Sequence, residues 1–135
     1  TKNGMALRFD GKNVSVSSRT AIGVKAINLN DGDIVADALY LSGEKSIMIF
    51  AANGMAKRVP VIDFVIQNRA GKGLICHKAG NVVAACPVNE DNMILVVGDT
   101  STICVSAADV TEGSRAAQGV MTIKGNNIVG IARID

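Results

Sequence analysis

Arginine side chains recur at a nearly fixed spacing along this chain of 135 residues. The pattern Arg-x-x-x-Gly followed by an aliphatic residue begins at Arg19, Arg69 and Arg115, at separations of 50 and 46 residues. A guanidinium presents five N–H donors in a planar fork that fits phosphate and carboxylate oxygens. Because the pattern repeats, it predicts cations placed at regular intervals along one surface, where they could bind a polyanion.

Other cations lie close to this pattern. Lys25 and Lys72 fall within or just after it, and we predict that they also contact phosphate. Arg8, Lys57 and Arg58 flank two Asn-Gly turns, where they could bind phosphate or act as solvated charges that protect exposed strand edges. For the three repeated arginines the alternative is that each braces its turn by donating to backbone carbonyls.

The residue types needed for catalysis or metal binding do not occur in suitable combinations. His77 is the single histidine, and the three cysteines lack Cys-x-x-Cys spacing. Cys76 and His77 are neighbours in an apolar, strand-like run, so their side chains should point to opposite faces. We therefore predict no catalytic residue, no metal ligand and no cofactor, and we expect Cys76, Cys86 and Cys104 to be buried thiols in a reducing cytoplasm.

Three further candidates for chemistry have simpler structural interpretations. Asp31 and Asp33 lie in a glycine turn and are typical turn formers. The tract 71–73 (Gly-Lys-Gly) lacks the spacing of a phosphate-binding loop. Tyr40 is the single tyrosine and lacks the accompanying arginine and metal-binding carboxylates that a catalytic tyrosine would need, so we expect it to pack against apolar neighbours.

The elements that would position the arginines are short strands and turns. Asn3-Gly4-Met5-Ala6 recurs as Asn53-Gly54-Met55-Ala56, and Asn-Gly favours hairpins because both residues tolerate positive φ. Apolar runs at Ile47–Phe50 and Met93–Val97 predict strands buried on both faces. Together they predict an all-β, propeller-like fold of one domain, with about three four-stranded blades in repeats at roughly 1–44, 45–91 and 92–135.

Each arginine pattern should open the third strand of its repeat, and an aliphatic run should form the fourth. The fourth strands are expected at Ile34–Ala36, Val82–Ala84 and Ile128–Gly130. Short helical turns are possible around Val61–Val65 or Ala107–Val110. The first repeat lacks the apolar run before its Asn-Gly turn, and the chain has no initial Met, so we expect a piece of a longer protein that begins inside a blade.

Composition limits the possible partners. Hydrophobic residues make up 48% of the chain, which is enough for a packed core, while aromatic residues make up only 3%. No apolar stretch approaches the roughly 18 residues of a membrane span, so we expect no membrane contact. The formal net charge of +2 is too small to indicate nucleic-acid binding without the repeated arginines.

The repeats resemble the C-terminal domain of DNA gyrase A and, next, the equivalent domain of topoisomerase IV. The resemblance rests on the Asn-Gly-x-x-x-Arg turns, the Arg-x-x-x-Gly patterns, the tract 17–27 and the ending 118–133, and it covers essentially the whole chain. The family's Gln-Arg-Arg-Gly-Gly-Arg-Gly box, which belongs to its first blade, is missing here.

The resemblance implies a six-bladed β-pinwheel, a propeller in which neighbouring blades exchange a strand, with this chain as roughly its last half. It implies a bacterial, cytoplasmic, chromosome-associated and non-catalytic module that binds and wraps duplex DNA. The partners would be the rest of gyrase A and the ATP-hydrolysing gyrase B in a heterotetramer that supercoils DNA. The candidate DNA-contact residues are Arg19, Lys25, Arg69, Lys72, Arg115, Arg8, Lys57 and Arg58.

Two other functions remain open from the sequence. The modest net charge also permits a propeller whose rim binds another polypeptide. A small β-rich enzyme would need a convergent set of acids, bases or metal ligands, which the sequence does not offer.

Overall fold

The computed structural model describes residues 1–135 and consists of nine β-strands and three short 3₁₀ helices. The strands are β1 (Met5–Ala6), β2 (Ser46–Ala51), β3 (Met55–Pro60), β4 (Leu74–Ile75), β5 (Val82–Val88), β6 (Met93–Gly98), β7 (Thr102–Ser106), β8 (Val120–Met121) and β9 (Ile128–Ile134). The 3₁₀ helices span Gly11–Asn13, Val61–Asp63 and Ala107–Asp109. The last two confirm the predicted helical turns.

The strands form three antiparallel sheets that correspond to successive blades. Their strand orders are β1-β4, β5-β2-β3-β8 and β7-β6-β9. The all-β pinwheel is therefore confirmed, and the middle sheet has the four strands expected of a blade. The other two sheets have two and three strands, fewer than the sequence predicts.

Neighbouring repeats exchange their third strands. β8 follows Arg115 in the third repeat but pairs with β3 of the second, with Ala56 opposite Val120. In the same way β4 pairs with β1 of the first repeat, with Ala6 opposite Leu74. The arginine patterns at Arg69 and Arg115 thus each deliver an edge strand to the preceding blade, which is the strand exchange that the pinwheel resemblance implies.

The hairpin between β2 and β3 turns at Asn53 and Gly54, as the sequence predicts. The side chain of Asn53 accepts a hydrogen bond from the amide of Met55 at 3.1 Å. Gly54 has a φ of +91°, and a Cβ there would lie 2.2 Å from the carbonyl oxygen of Ile123. Only glycine permits this close approach between the hairpin and the segment that follows β8.

Two apolar clusters hold the sheets together. The larger lies between the middle and last sheets and contains Met48, Phe50, Ala56, Cys86, Val88, Ile94, Val96, Ala107, Val110, Ile123 and Ile128. The smaller lies between the first and middle sheets and contains Ile49, Val59, Phe64, Cys76 and Val82. Because the middle sheet contributes to both clusters, β2 is buried on both faces, as the run Ile47–Phe50 predicts. The same prediction was wrong for the run Met93–Val97, because β6 lies in the last sheet and buries only its face with Ile94 and Val96.

The predicted strands of the first repeat were wrong. Residues 14–44 contain no strand, although the arginine pattern at Arg19 and the run at Ile34–Ala36 predicted two. Residues 34–40 correspond to β5, which pairs with β2, and the first repeat has no counterpart of β2 in this chain. The expectation that Tyr40 packs was wrong for the same reason, since the residue is 84% exposed.

The cysteines are free thiols that differ in burial. Cys76 and Cys86 are buried, as predicted, but Cys104 is exposed. Cys104 lies on β7, the edge strand of the last sheet, which has a neighbour on one side only. None of the helices is long and apolar enough to cross a membrane.

Candidate functional site

Two seams between neighbouring repeats carry Arg69 and Arg115, two of the three repeated arginines. At each seam a 3₁₀ helix and the segment that follows one arginine pattern meet the arginine loop of the next repeat. Offsets of 50 and 46 residues relate the positions in the two seams. The first seam comprises residues 12–15, 25–28 and 68–72, and the second comprises 62–65, 75–78 and 114–118.

The guanidinium groups of Arg69 and Arg115 both donate to backbone carbonyls of the preceding repeat. Arg69 donates from Nη1 to the carbonyl of Lys25 and from Nε to that of Asn13 at 3.1 Å. Arg115 donates from Nη1 to the carbonyl of Ile75, the position equivalent to Lys25, at 3.0 Å. Bracing is therefore observed at both sites, and because each guanidinium keeps unbonded N–H groups, phosphate contact by these arginines stays a prediction.

Close backbone contact explains why the arginine patterns end in glycine. A Cβ on Gly73 would lie 2.3 Å from the carbonyl oxygen of Ala6, and one on Gly119 would lie 2.3 Å from that of Ala56. Both glycines have positive φ, at +80° and +88°. The predicted structural role is confirmed at these two positions, whereas a Cβ on Gly23 would meet no atom within 4 Å.

The first seam gathers exposed cations. Lys12, Lys25 and Lys72 are exposed, and Arg69, which bonds to the carbonyls of Asn13 and Lys25, is partly exposed. None of the three lysine side chains forms a salt bridge, and the seam contains no carboxylate. Lys12 was not a candidate from the sequence. It could have been found by aligning residues 11–13 with the helical turn 61–63.

The second seam has a different chemistry at the same positions. Ile62, Val65 and Ile75 are exposed by 81%, 57% and 51%. They line a groove of about 500 Å³ together with Asp63, Lys78, Ser114, Arg115 and Ala116. This seam therefore presents two cations, one carboxylate and an apolar surface.

Lys57 is not a surface cation. It is only 1% exposed, and its Nζ donates to the carbonyls of Arg115 and Ala117, the latter at 3.0 Å. Burial lowers the pKa of Lys57 from its ordinary value, and the nearby charge of Arg115 adds to that effect. The predictions that Lys57 contacts phosphate or is a solvated edge charge were wrong, because the hairpin strand turns this side chain into the space between two blades.

Arg8 and Arg58 brace the 3₁₀ helices of the repeats that follow them. Arg8 donates to the carbonyl of Phe64 at 3.1 Å, and Arg58 donates to the equivalent carbonyl of Val110 at 2.9 Å. Arg58 is buried and also pairs with Glu90 at 3.4 Å. Solvated edge charges were therefore the wrong interpretation of Arg58. Arg8 is partly exposed and forms no salt bridge, so its phosphate contact stays a prediction.

Arg19 is separate from both seams. It lies in the strand-free segment 14–44, is exposed and forms no hydrogen bond or salt bridge. The structure therefore does not bring the three repeated arginines into equivalent environments. A phosphate contact by Arg19 stays a prediction.

The environment of Cys76 and His77 does not favour nucleophilic chemistry. Burial raises the pKa of the Cys76 thiol, which disfavours the reactive thiolate. Burial and the charge of Lys57 lower the pKa of His77, whose two ring nitrogens are buried without hydrogen-bond partners. No group of three or more His, Cys, Asp or Glu residues is placed to hold a metal ion.

Comparisons with known proteins agree with this fold. The DNA gyrase A protein of Staphylococcus aureus strains MRSA252 and COL is 34% identical over 131 residues, which cover 92% of this chain and 15% of the relative. A solved DNA gyrase A C-terminal domain superposes with a TM-score of 0.91 at 27% identity, over 99% of this chain and 48% of that one. The C-terminal domain of DNA topoisomerase IV has a TM-score of 0.93 at 21% identity, over 99% and 45%, and shares the fold.

The chain spans about half of the solved domains that it matches and a small part of the full-length relatives. A family model described as the DNA gyrase C-terminal domain, β-propeller, matches residues 1–42, 45–76 and 105–135. These matches include the Asn-Gly turns and all three arginine patterns. The chain belongs to the DNA gyrase C-terminal domain family of β-propellers.

Proposed function

We propose that this chain is a non-catalytic module that binds duplex DNA and bends or wraps it within bacterial DNA gyrase. The observation that carries the proposal is the first seam, where four cations on neighbouring segments form no salt bridge, in a member of this family. The module would support ATP-dependent supercoiling by the whole enzyme in the cytoplasm. Its protein partners would be the rest of gyrase A and the ATP-hydrolysing gyrase B.

The proposed binding is electrostatic. Duplex DNA carries one negative charge per about 1.7 Å of its axis, and each phosphate that a Lys or Arg neutralises releases condensed counterions. Phosphate contacts fix the position of a protein on the duplex but carry no direct sequence information. Binding should therefore be similar for unrelated sequences and should weaken steeply as salt rises.

An anisotropy titration with two labelled duplexes of unrelated sequence tests the proposal. At about 50 mM salt we expect saturable binding to both duplexes with similar affinity, and we expect log K to fall linearly with log salt. A protein that is folded by circular dichroism but binds neither duplex at that salt concentration would overturn the proposed function.

Protein binding is the second candidate function, because the second seam exposes an apolar surface. Ile62, Val65 and Ile75 would be unusual on a surface that contacts only phosphates. Apolar association is far less sensitive to salt than phosphate binding is. If the protein binds no DNA but pulls down a polypeptide at about 300 mM salt, and Ile75→Ser abolishes that capture, the second function is favoured.

A further inference from the structure

We infer that Lys12, Lys25 and Lys72 form one binding surface for the phosphates of duplex DNA, that Arg69 positions the segments that carry them, and that the equivalent second seam makes no contact with the DNA. This inference rests on the proposed function and assigns the DNA contact to one of the two seams. The ligand is the phosphate backbone of a duplex.

Arg69 brings together three segments that are distant in sequence. Its two hydrogen bonds join the arginine loop to the carbonyls of Asn13 and Lys25. The amide of Ala70 donates to the carbonyl of Ala26 at 2.8 Å, which fixes the same loop a second time. Lys12 adjoins Asn13, so the lysines at positions 12 and 25 start from backbone positions that one guanidinium ties together.

The charge of this cluster is not compensated. The nearest carboxylate in sequence is Asp10, whose Oδ1 accepts a hydrogen bond from the backbone amide of Lys12 at 2.9 Å. Asp10 forms no salt bridge with any lysine. Four cations next to one carboxylate give a local net charge of +3, and like charges that repel one another favour binding of an anion.

Arg69 and the lysines have different roles. Two of the five guanidinium donors bond to carbonyls and fix the side chain, so Arg69 is a positioning residue even though three donors stay unbonded. The ammonium groups of Lys12, Lys25 and Lys72 have no such internal partners. The lysines are therefore the groups that meet phosphate.

Each of these three lysines is replaced by an uncharged residue at the second seam. Ile62 stands at the position of Lys12, and Ile75 stands at that of Lys25. Gln118 occupies the position of Lys72, so only the arginine is retained. Exposed isoleucines release no counterions, and contact with DNA at the second seam would bring Asp63 close to phosphate.

Matched double variants test the inference by a salt-dependent anisotropy titration with duplex DNA. Lys12→Ala/Lys25→Ala removes two charges from the first seam, and Lys78→Ala/Lys124→Ala removes two exposed charges outside it, one from the second seam and one from the turn after β8. We expect the first variant to weaken binding roughly tenfold or more and to reduce the salt slope by about 2, because two phosphate contacts are lost. The control should change affinity less than about threefold.

The two arginines provide a second measurement. Arg69→Ala should lower DNA affinity severalfold, whereas Arg115→Ala should leave it within about twofold, although each loses a brace to the preceding repeat. Circular dichroism and urea unfolding verify that both variants fold. A merely structural role would affect stability in both variants and would not separate their DNA affinities.

The outcomes distinguish the assignment of the DNA contact to the first seam from the proposed DNA binding itself. If the two double variants lose affinity equally, or if Arg115→Ala weakens binding as much as Arg69→Ala, the DNA contact is spread over the surface and the inference is overturned. DNA binding itself would still stand in that case. If the unaltered protein binds no DNA, the proposed function fails and the inference fails with it.

Discussion

The two seams are built from equivalent backbone segments, but different hydrogen bonds hold the arginine loop at each of them. At the first seam, the arginine loop is held by backbone hydrogen bonds from Ala70 to Ala26 and from Asn28 to Gly71. The corresponding bonds are absent at the second seam, where the Nζ of Lys57 donates to two loop carbonyls instead. The first repeat has Leu7 at the position of Lys57.

The difference shows how a repeat fold can separate structure from ligand binding. The first seam uses the backbone and Arg69 for fastening, which leaves its lysines on the surface. At the second seam Lys57 is buried and holds the arginine loop by hydrogen bonds, and the exposed residues are isoleucines. The glycine and the arginine are common to both seams because strand exchange needs them, while the other positions are free to take a different chemistry.

The largest expected effect comes from adding a methyl group to the glycines of the arginine patterns. Gly119→Ala forces a left-handed conformation on alanine and places its Cβ against the carbonyl of Ala56, so we expect a loss of about 3 kcal/mol or more in the free energy of unfolding. Gly73→Ala should lower the free energy of unfolding by a similar amount, because its Cβ would press against the carbonyl of Ala6. Gly23→Ala meets no atom and should cost about 1 kcal/mol, the conformational term alone.

Urea unfolding followed by circular dichroism measures all three variants. The glycine at position 23 serves as the matched control, since it shares the pattern and the positive φ of +87° but not the contact. Equal losses for the three variants would mean that the close approach of β4 and β8 to the preceding blade does not explain these glycines.

Lys57 tests whether the second seam depends on its buried cation. Lys57→Ala leaves two carbonyls without a donor and opens a cavity, so we expect a loss of about 2–4 kcal/mol in urea unfolding. Lys57→Leu copies the first seam and fills the space, so it should cost less, about 1–2 kcal/mol for the unpaired carbonyls. If Lys57→Leu were stabilising, the cost of burying the charge would exceed the gain from its hydrogen bonds, and the second seam would not depend on Lys57 for its stability.

The sequence predicted well those turns and strands that depend on residues within a single repeat. The Asn-Gly turn at 53–54, the buried run at Ile47–Phe50 and the helical turns after β3 and β7 are present where expected. Those features depend on φ preferences and on apolar periodicity within one repeat. Strand exchange followed from the family resemblance, because no single repeat encodes which neighbour its third strand will join.

Side-chain environments were predicted less well, since they depend on pairing between repeats. Lys57 and Arg58 look like edge charges in the sequence, but both are buried and donate to carbonyls of the next repeat between its 3₁₀ helix and β8. Tyr40 looks like a core residue but has no partner strand. Lys12 was missed because the bond that links its neighbour Asn13 to Arg69 spans 56 residues of sequence.

The smallest expected effect concerns His77. This residue is a further difference between the two seams, because Ile27 occupies the equivalent position in the first seam. Burial and the charge of Lys57 hold the pKa of His77 below its ordinary value of 6.5. The unfolded chain therefore binds this proton more readily, so the free energy of unfolding should fall as pH drops below 6.5. Urea midpoints measured between pH 7.5 and about 5.2 report this change.

His77→Ile copies the first seam and should flatten that pH dependence. Glu44 does not contribute to the change between pH 7.5 and about 5.2, because its carboxyl titrates at lower pH in both states. Its ordinary pKa is 4.5, and hydrogen bonds, first that from the amide of Ser42, lower the pKa in the folded protein to about 2. If the variant and the unaltered protein lost stability in parallel below pH 6.5, the neutral imidazole would not be the source of the acid sensitivity. The pH-dependent difference between the two seams would then have to lie in another group.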